Sequence, residues 1–196
     1  MNNSTQASRL DLFAPLSGVV VAIESVPDPV FAQKMVGDGI SIDPISNQLL
    51  APVAGKVTQL HSSRHAITIT TPAGVEVLIH IGLDTVMLRG DGFVAKVAEG
   101  AEVKVGQPLI EFDADFVARK ALSLLTQIVI TTGDKVVKYI PTIKKAVVAG
   151  QDIVMSLDLA GATVVGNAVA AEAAIQSARA LASPIIAMTV VLIAVY

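Results

Sequence analysis

Between residues 12 and 157 the chain alternates short apolar runs with turn residues, a pattern of many short strands. Residues 64–71 carry Ile67, Thr68, Ile69, Thr70 and Thr71, a β-branched run that predicts a strand. Pro72-Ala73-Gly74 breaks it, and residues 75–81 predict a second strand. Residues 40–42, 93–97, 103–105, 108–112, 128–131 and 136–139 read as further strands. Gly37-Asp38-Gly39, Ser46-Asn47-Gln48, Gly90, Gly92, Gly100 and Gly106 punctuate them. Pro27-Asp28-Pro29 reads as a rigid connection into Val30-Phe31-Ala32, and residues 113–125 as a short helix capped by Asp113. Val117, Ala121, Leu124 and Leu125 would share its buried face.

An internal echo adds to this pattern. Ala14-Pro15-Leu16-Ser17-Gly18-Val19-Val20 recurs as Ala51-Pro52-Val53-Ala54-Gly55-Lys56-Val57. Two similar β-corners follow, not a solenoid, because the echo occurs only twice. The expected fold is all-β: an antiparallel β-barrel or sandwich (a barrel-sandwich hybrid) with one or two short helices. Residues 1–10 are expected to be a disordered N-terminus and residues 11–157 the folded domain. An alanine-rich linker or helix (158–181) and an apolar end segment (182–196) follow.

All three histidines, His61, His65 and His80, fall in or beside the central pair of strands. A loop with an even number of residues would place His65 directly opposite His80, with Cβ atoms about 5 Å apart. An odd loop would shift the register by one and send the rings to opposite faces. His80 interrupts the apolar run Val75, Val77, Leu78, Ile79, Ile81, Leu83, where packing alone wants no polar group, and Gly82 beside it permits close approach of another chain. A pair of neutral imidazoles suits nucleophilic transfer, metal ligation or proton shuttling. Asp84, four residues after His80, could orient an imidazole or meet a partner's arginine, and equally fits a solvated turn.

Composition narrows the choices. The chain has 196 residues, 53% of them apolar and only 4% aromatic, so the core is built of Val, Ile, Ala and Leu. A net charge of −3 gives no basis for nucleic acid as a partner. No cysteine is present, which excludes disulfides and thiolate chemistry. The N-terminus lacks the apolar core of a secretory signal, making the cytoplasm the expected compartment. Residues 157–196 contain twelve alanines and three charged side chains. Their apolar end, 185–196, is shorter than the roughly 20 residues that span a bilayer.

Gly74 to Val86, with His80-Ile81-Gly82-Leu83-Asp84-Thr85-Val86, resembles the phosphohistidine signature of glucose-type IIA domains of the bacterial phosphoenolpyruvate:sugar phosphotransferase system. The resemblance runs from about residue 14 to 157 and takes in PDPVFAQKMVGDGI (27–40), LLAPVAGKV (49–57) and EVKVGQPLIEFD (102–113). It implies a phosphotransferase component in which His80 accepts a phosphoryl group from phospho-HPr and passes it to a sugar-specific IIB domain. Glucose and N-acetylglucosamine are the candidate sugars. His65 would hydrogen-bond the phosphoryl oxygens, and Ser63 would stand where the family often carries threonine. Val30, Phe31, Met35, Val36 and Leu78 would wall a shallow apolar docking face, with Asp28 and Asp84 meeting basic partner residues. At His61 the family's enterobacterial members have an apolar aromatic residue, so the rim here is more polar. No cofactor is implied beyond the phosphohistidine intermediate, although His65 and His80 could pick up zinc adventitiously. The membrane would be reached only through the permease. Residues 182–191 resemble the linker end and first strand of an HPr-like module, as in IIA–HPr–enzyme I fusions.

Three other readings compete. A small β-type zinc peptidase would need more ligands than His65 and His80, and no His-x-His pair occurs. A biotinyl or lipoyl carrier needs a lysine at a hairpin tip, where Pro72-Ala73-Gly74 stands instead. A non-catalytic regulator that binds transporters or kinases would use the same face.

Overall fold

The computed structural model describes residues 8–160. The first half of this region contains β1 (Arg9–Phe13), β2 (Gly18–Ala22), α1 (Pro29–Ala32), β3 (Asp38–Pro44), β4 (Gln48–Leu50) and β5 (Gly55–Leu60). The central hairpin is β6 (Ala66–Thr70) and β7 (Glu76–His80). After it come β8 (Phe93–Ala95), β9 (Glu102–Val103), β10 (Pro108–Phe112), α2 (Ala114–Lys120) and β11 (Thr126–Ile130). The last three strands are β12 (Val136–Pro141), β13 (Ala146–Val147) and β14 (Ile153–Leu159).

Every named strand pair is antiparallel. One sheet has the order β13-β2-β3-β11-β7-β6-β5-β9, and two three-stranded sheets, β4-β10-β8 and β1-β14-β12, complete the fold. Of the two expected architectures the structure is the open sandwich, since no described sheet closes into a barrel. Alternate residues of the central strands face one core. Ile67 and Ile69 of β6, Val77 and Ile79 of β7, and Ile128 and Ile130 of β11 are essentially inaccessible. Each such side chain stabilises the fold by about 1.5–3 kcal/mol relative to exposure.

The echo seen in the sequence is a structural repeat. β2 and β5 begin at the equivalent glycines Gly18 and Gly55. A Cβ at either would come within 2.1 Å of the Asp43 carbonyl oxygen or 2.4 Å of that of Thr70, so only glycine fits. The two corners also bond each other reciprocally: Phe13 N–H donates to Pro52 C=O and Leu50 N–H to Pro15 C=O, both at 2.9 Å. Each corner is closed by a matching turn. Gly150 N–H donates to Ala14 C=O, as Gly106 N–H does to Ala51 C=O. The sandwich is therefore two similar modules joined at their corners.

Four expectations need correction. Arg9 and Leu10 belong to β1, paired with Asp158 and Leu157 of β14. Arg9 also reaches Asp158 at 3.1 Å, a long-range partner invisible in a polar N-terminal segment. Asp38 and Gly39 lie inside β3 instead of a turn, because β11 pairs with both. The helix capped by Asp113, whose carboxylate accepts from Phe116 N–H at 2.9 Å, stops at Lys120 and does not reach residue 125. Leu122 N–H turns away to Leu83 C=O, and Ser123 bridges Leu83. The expectation that an odd hairpin loop would separate the two histidine rings also fails, as described below. Expectations for residues 161–196 and 1–7 lie outside the described residues.

Candidate functional site

β6 and β7 pair with Ala66 opposite His80 and Thr70 opposite Glu76, leaving a five-residue loop. The loop is odd, so of the two alternatives the shifted register is the one that forms. Thr71 is the cause: its N–H bonds Val75 C=O at 2.9 Å, and its hydroxyl accepts from Val75 N–H at 3.1 Å. The rings nevertheless meet. His65 lies just outside the ladder, after Arg64 in the left-handed region (φ 56°), so strand alternation no longer governs its direction. Its carbonyl accepts from Ile81 N–H at 2.8 Å. The His65 and His80 rings pack edge to face with centroids 4.9 Å apart, and His61 stacks edge-on against His65 at 4.5 Å.

The Ser63 hydroxyl sits 3.0 Å from His65 Nδ1 and 2.7 Å from His61 Nδ1, so one buried oxygen joins two imidazoles. Burial, then the neighbouring His80 and His61, push the His65 pKa down to about 4, so that ring is neutral at physiological pH. Burial also holds His80 below the ordinary imidazole range; a hydrogen bond to Gln127, the Gly82 backbone and the charge of Asp28 oppose it.

The structure sorts the expected docking residues. Phe31 is buried and lies against His80, with centroids 5.3 Å apart. Val36 and Leu78 are half-buried against a small core of Ile23, Val26, Phe31, Leu83 and Val129 beneath the site. Val30 and Met35 are exposed, as are Val86 and Met87 on the segment that follows His80, which sequence reading did not assign to the docking face. Asp28 is half-buried and caps α1, its carboxylate accepting from Val30 N–H at 2.8 Å. Asp84 is exposed at φ 59° and makes no hydrogen bond to an imidazole. His61, His65, Leu78 and His80 line a shallow cavity of about 180 Å³. Gln127, which sequence reading passed over, is wholly buried beside His80: its amide nitrogen donates to Leu125 C=O at 2.6 Å and its oxygen lies 3.2 Å from His80 Nδ1. A lone amide at the start of the apolar strand Thr126–Ile130 was the available signal. Among the described residues, no group of three or more His, Cys, Asp or Glu side chains is placed to hold a metal ion.

An antiparallel sandwich with paired neutral imidazoles in an apolar depression is an architecture chemically suited to group transfer through a histidine. The profile of the phosphoenolpyruvate-dependent sugar phosphotransferase system EIIA 1 family matches residues 10–136, and the chain belongs to that family. It is 45% identical over 150 residues to the glucose-specific EIIA component of Halalkalibacterium halodurans, covering 76% of this chain and 87% of the relative. It is 43% identical to the corresponding component of Buchnera aphidicola, covering 77% and 93%. The solved glucose permease IIA of Mycoplasma capricolum superposes with a TM-score of 0.69 at 38% identity, covering 76% of this chain and 96% of that one. The chain is a phosphocarrier component of the sugar phosphotransferase system and works in phosphoryl transfer. No helix among the described residues is long and apolar enough to cross a membrane.

Proposed function

We propose that His80 is the residue that carries the phosphoryl group, taking it from phospho-HPr and giving it to the cysteine of a IIB domain in the cytoplasm. On uptake, the phosphorus–nitrogen bond of the donor histidine breaks as a bond from His80 to phosphorus forms. On transfer, that bond breaks as a phosphorus–sulfur bond forms. Glucose is the sugar the relatives' names favour. The observation that carries the reading is the edge-on contact of His65 with His80 at 4.9 Å. Phosphoryl transfer needs positioning and charge stabilisation more than covalent help, and the Ser63 hydroxyl, 3.0 Å from His65 Nδ1, holds in place the imidazole that lies beside His80. Val30 and Met35, exposed near Phe31 in the chain, and Val86 and Met87, exposed on the segment after His80, offer apolar side chains to protein partners. Asp28 and Asp84, near them in the chain, supply negative charge.

The test is the second half-reaction. Phosphorylated protein is mixed with a glucose IIB domain, and loss of label is followed in wild type and His65→Gln. A His65→Gln protein that takes up phosphate but passes it on at least 100-fold more slowly supports the assignment. Equal transfer rates would refute the role of His65.

A further inference from the structure

We propose that Gln127 is a positioning residue for phosphoryl uptake: it holds the proton of neutral His80 on Nδ1 and leaves Nε2 as the attacking nitrogen. The inference rests on the reading that His80 carries the phosphoryl group. Its geometry does not.

The Leu125 carbonyl can only accept, so the Gln127 atom 2.6 Å away must be the amide nitrogen. The amide oxygen then faces His80 Nδ1 at 3.2 Å. An amide oxygen can only accept as well, so Nδ1 bears the hydrogen. A neutral imidazole has a single N–H, and Nε2 is left with its lone pair free.

The backbone builds this contact in. Gln127 is the cross-strand partner of His80 in the β7–β11 ladder, so both side chains emerge on one face as close neighbours. Ile128, Val129 and Ile130 follow it, all fully buried, and Gln127 itself has no accessible surface. An amide in such a place is costly unless both ends are paired, and both are. Apolar residues of similar size would pack there without that requirement. In the transfer step the lone pair on Nε2 forms the bond to phosphorus while the donor's phosphorus–nitrogen bond breaks and its electron pair stays on the donor ring. The Nδ1 proton remains on the Gln127 oxygen's side throughout, so no proton has to leave the ring. With the proton on Nε2 instead, the attacking atom is blocked until the ring changes tautomer. One neutral hydrogen bond biases such an equilibrium about two- to tenfold.

The Gly82 backbone also favours the protonated ring and is the competing explanation. Gln127→Met keeps the side chain's length and removes the acceptor. Gln127→Glu keeps the acceptor and adds charge. Nitrogen-15 NMR of the unphosphorylated full chain reads the His80 tautomer directly, and phosphoryl uptake from phospho-HPr is timed on the same samples. The expected result is an Nδ1–H tautomer in wild type, a mixed or Nε2–H population in Gln127→Met, and uptake slowed about two- to tenfold in that variant. Gln127→Glu is expected to keep the Nδ1–H signature and to move the His80 titration midpoint upward, which a purely structural role would not do. An unchanged tautomer in Gln127→Met would overturn the proposal and leave the ring to Gly82. A changed tautomer with unchanged uptake would overturn its positioning role. A wild type that shows the Nδ1–H signature but takes no phosphate would overturn the functional reading beneath it, a failure distinguishable from the other two.

Discussion

His65 and His80 face each other with their ring planes 84° apart, although the strands that carry them are not in the register that would pair them. The contact exists because His65 has left its ladder. The arrangement therefore depends on the turn His61–Arg64, where Arg64 N–H bonds His61 C=O at 2.7 Å, as much as on the sheet.

Burial of His65 has a thermodynamic consequence. Its folded pKa of about 4 lies below the unfolded value near 6.5, so between these pH values the unfolded chain binds more protons. The stabilising contribution is complete above about pH 6.5 and is lost as pH falls toward 4. Denaturant melts at pH 7, 5.5 and 4.5 are expected to show falling stability, with a shallower slope in His65→Gln. A pH-independent difference between the two proteins would contradict the assignment.

Asp28 combines a cap and a charge, and two substitutions separate them. Asp28→Ala removes the acceptor of Val30 N–H and is expected to cost about 1 kcal/mol in equilibrium unfolding. Asp28→Asn keeps a capping oxygen and should leave stability nearly unchanged. If the carboxylate also meets basic residues of a partner, Asp28→Asn binds HPr more weakly at low salt, and the difference shrinks as salt rises. Equal binding of wild type and Asp28→Asn at low ionic strength would confine Asp28 to the cap.

Gly82 follows the second strand histidine at φ 73°, and a Cβ there would lie 2.6 Å from Thr85 Cγ2 and 2.8 Å from Ser123 C=O. Gly82→Ala is expected to lose about 1–3 kcal/mol of stability and to shift the His80 ring resonances. Unperturbed stability would mean that the 81–85 turn relaxes freely.

Much of the fold was legible before any coordinates. β10 falls on the residues expected, and the strands around His80 differ by a residue or two, because β-branched runs between glycine turns leave few alternatives. The Gly18 and Gly55 corners were visible as a repeat. Their closing turns, Val103 to Gln107 and Val147 to Gln151, repeat Val-x-x-Gly-Gln, a match too short to stand out in the sequence. What stayed hidden depends on distant groups. The hairpin register is set by how Thr71 bonds across its own loop, and Arg9 is ordered by β14 almost 150 residues away. Gln127 acquires its meaning only when β11 is laid beside β7. In the sequence His61 is only a polar rim residue; its link to His65 through Ser63 comes from the turn that folds residues 61–65 back on themselves.

The central claim is that His80 is the phosphorylated residue. Its most direct test is intact mass after incubation with phosphoenolpyruvate, enzyme I and HPr, for wild type, His80→Gln and His65→Gln. One acid-labile phosphate is expected on wild type and on His65→Gln, and none on His80→Gln. A phosphate retained by His80→Gln, or an unlabelled wild type, would contradict it.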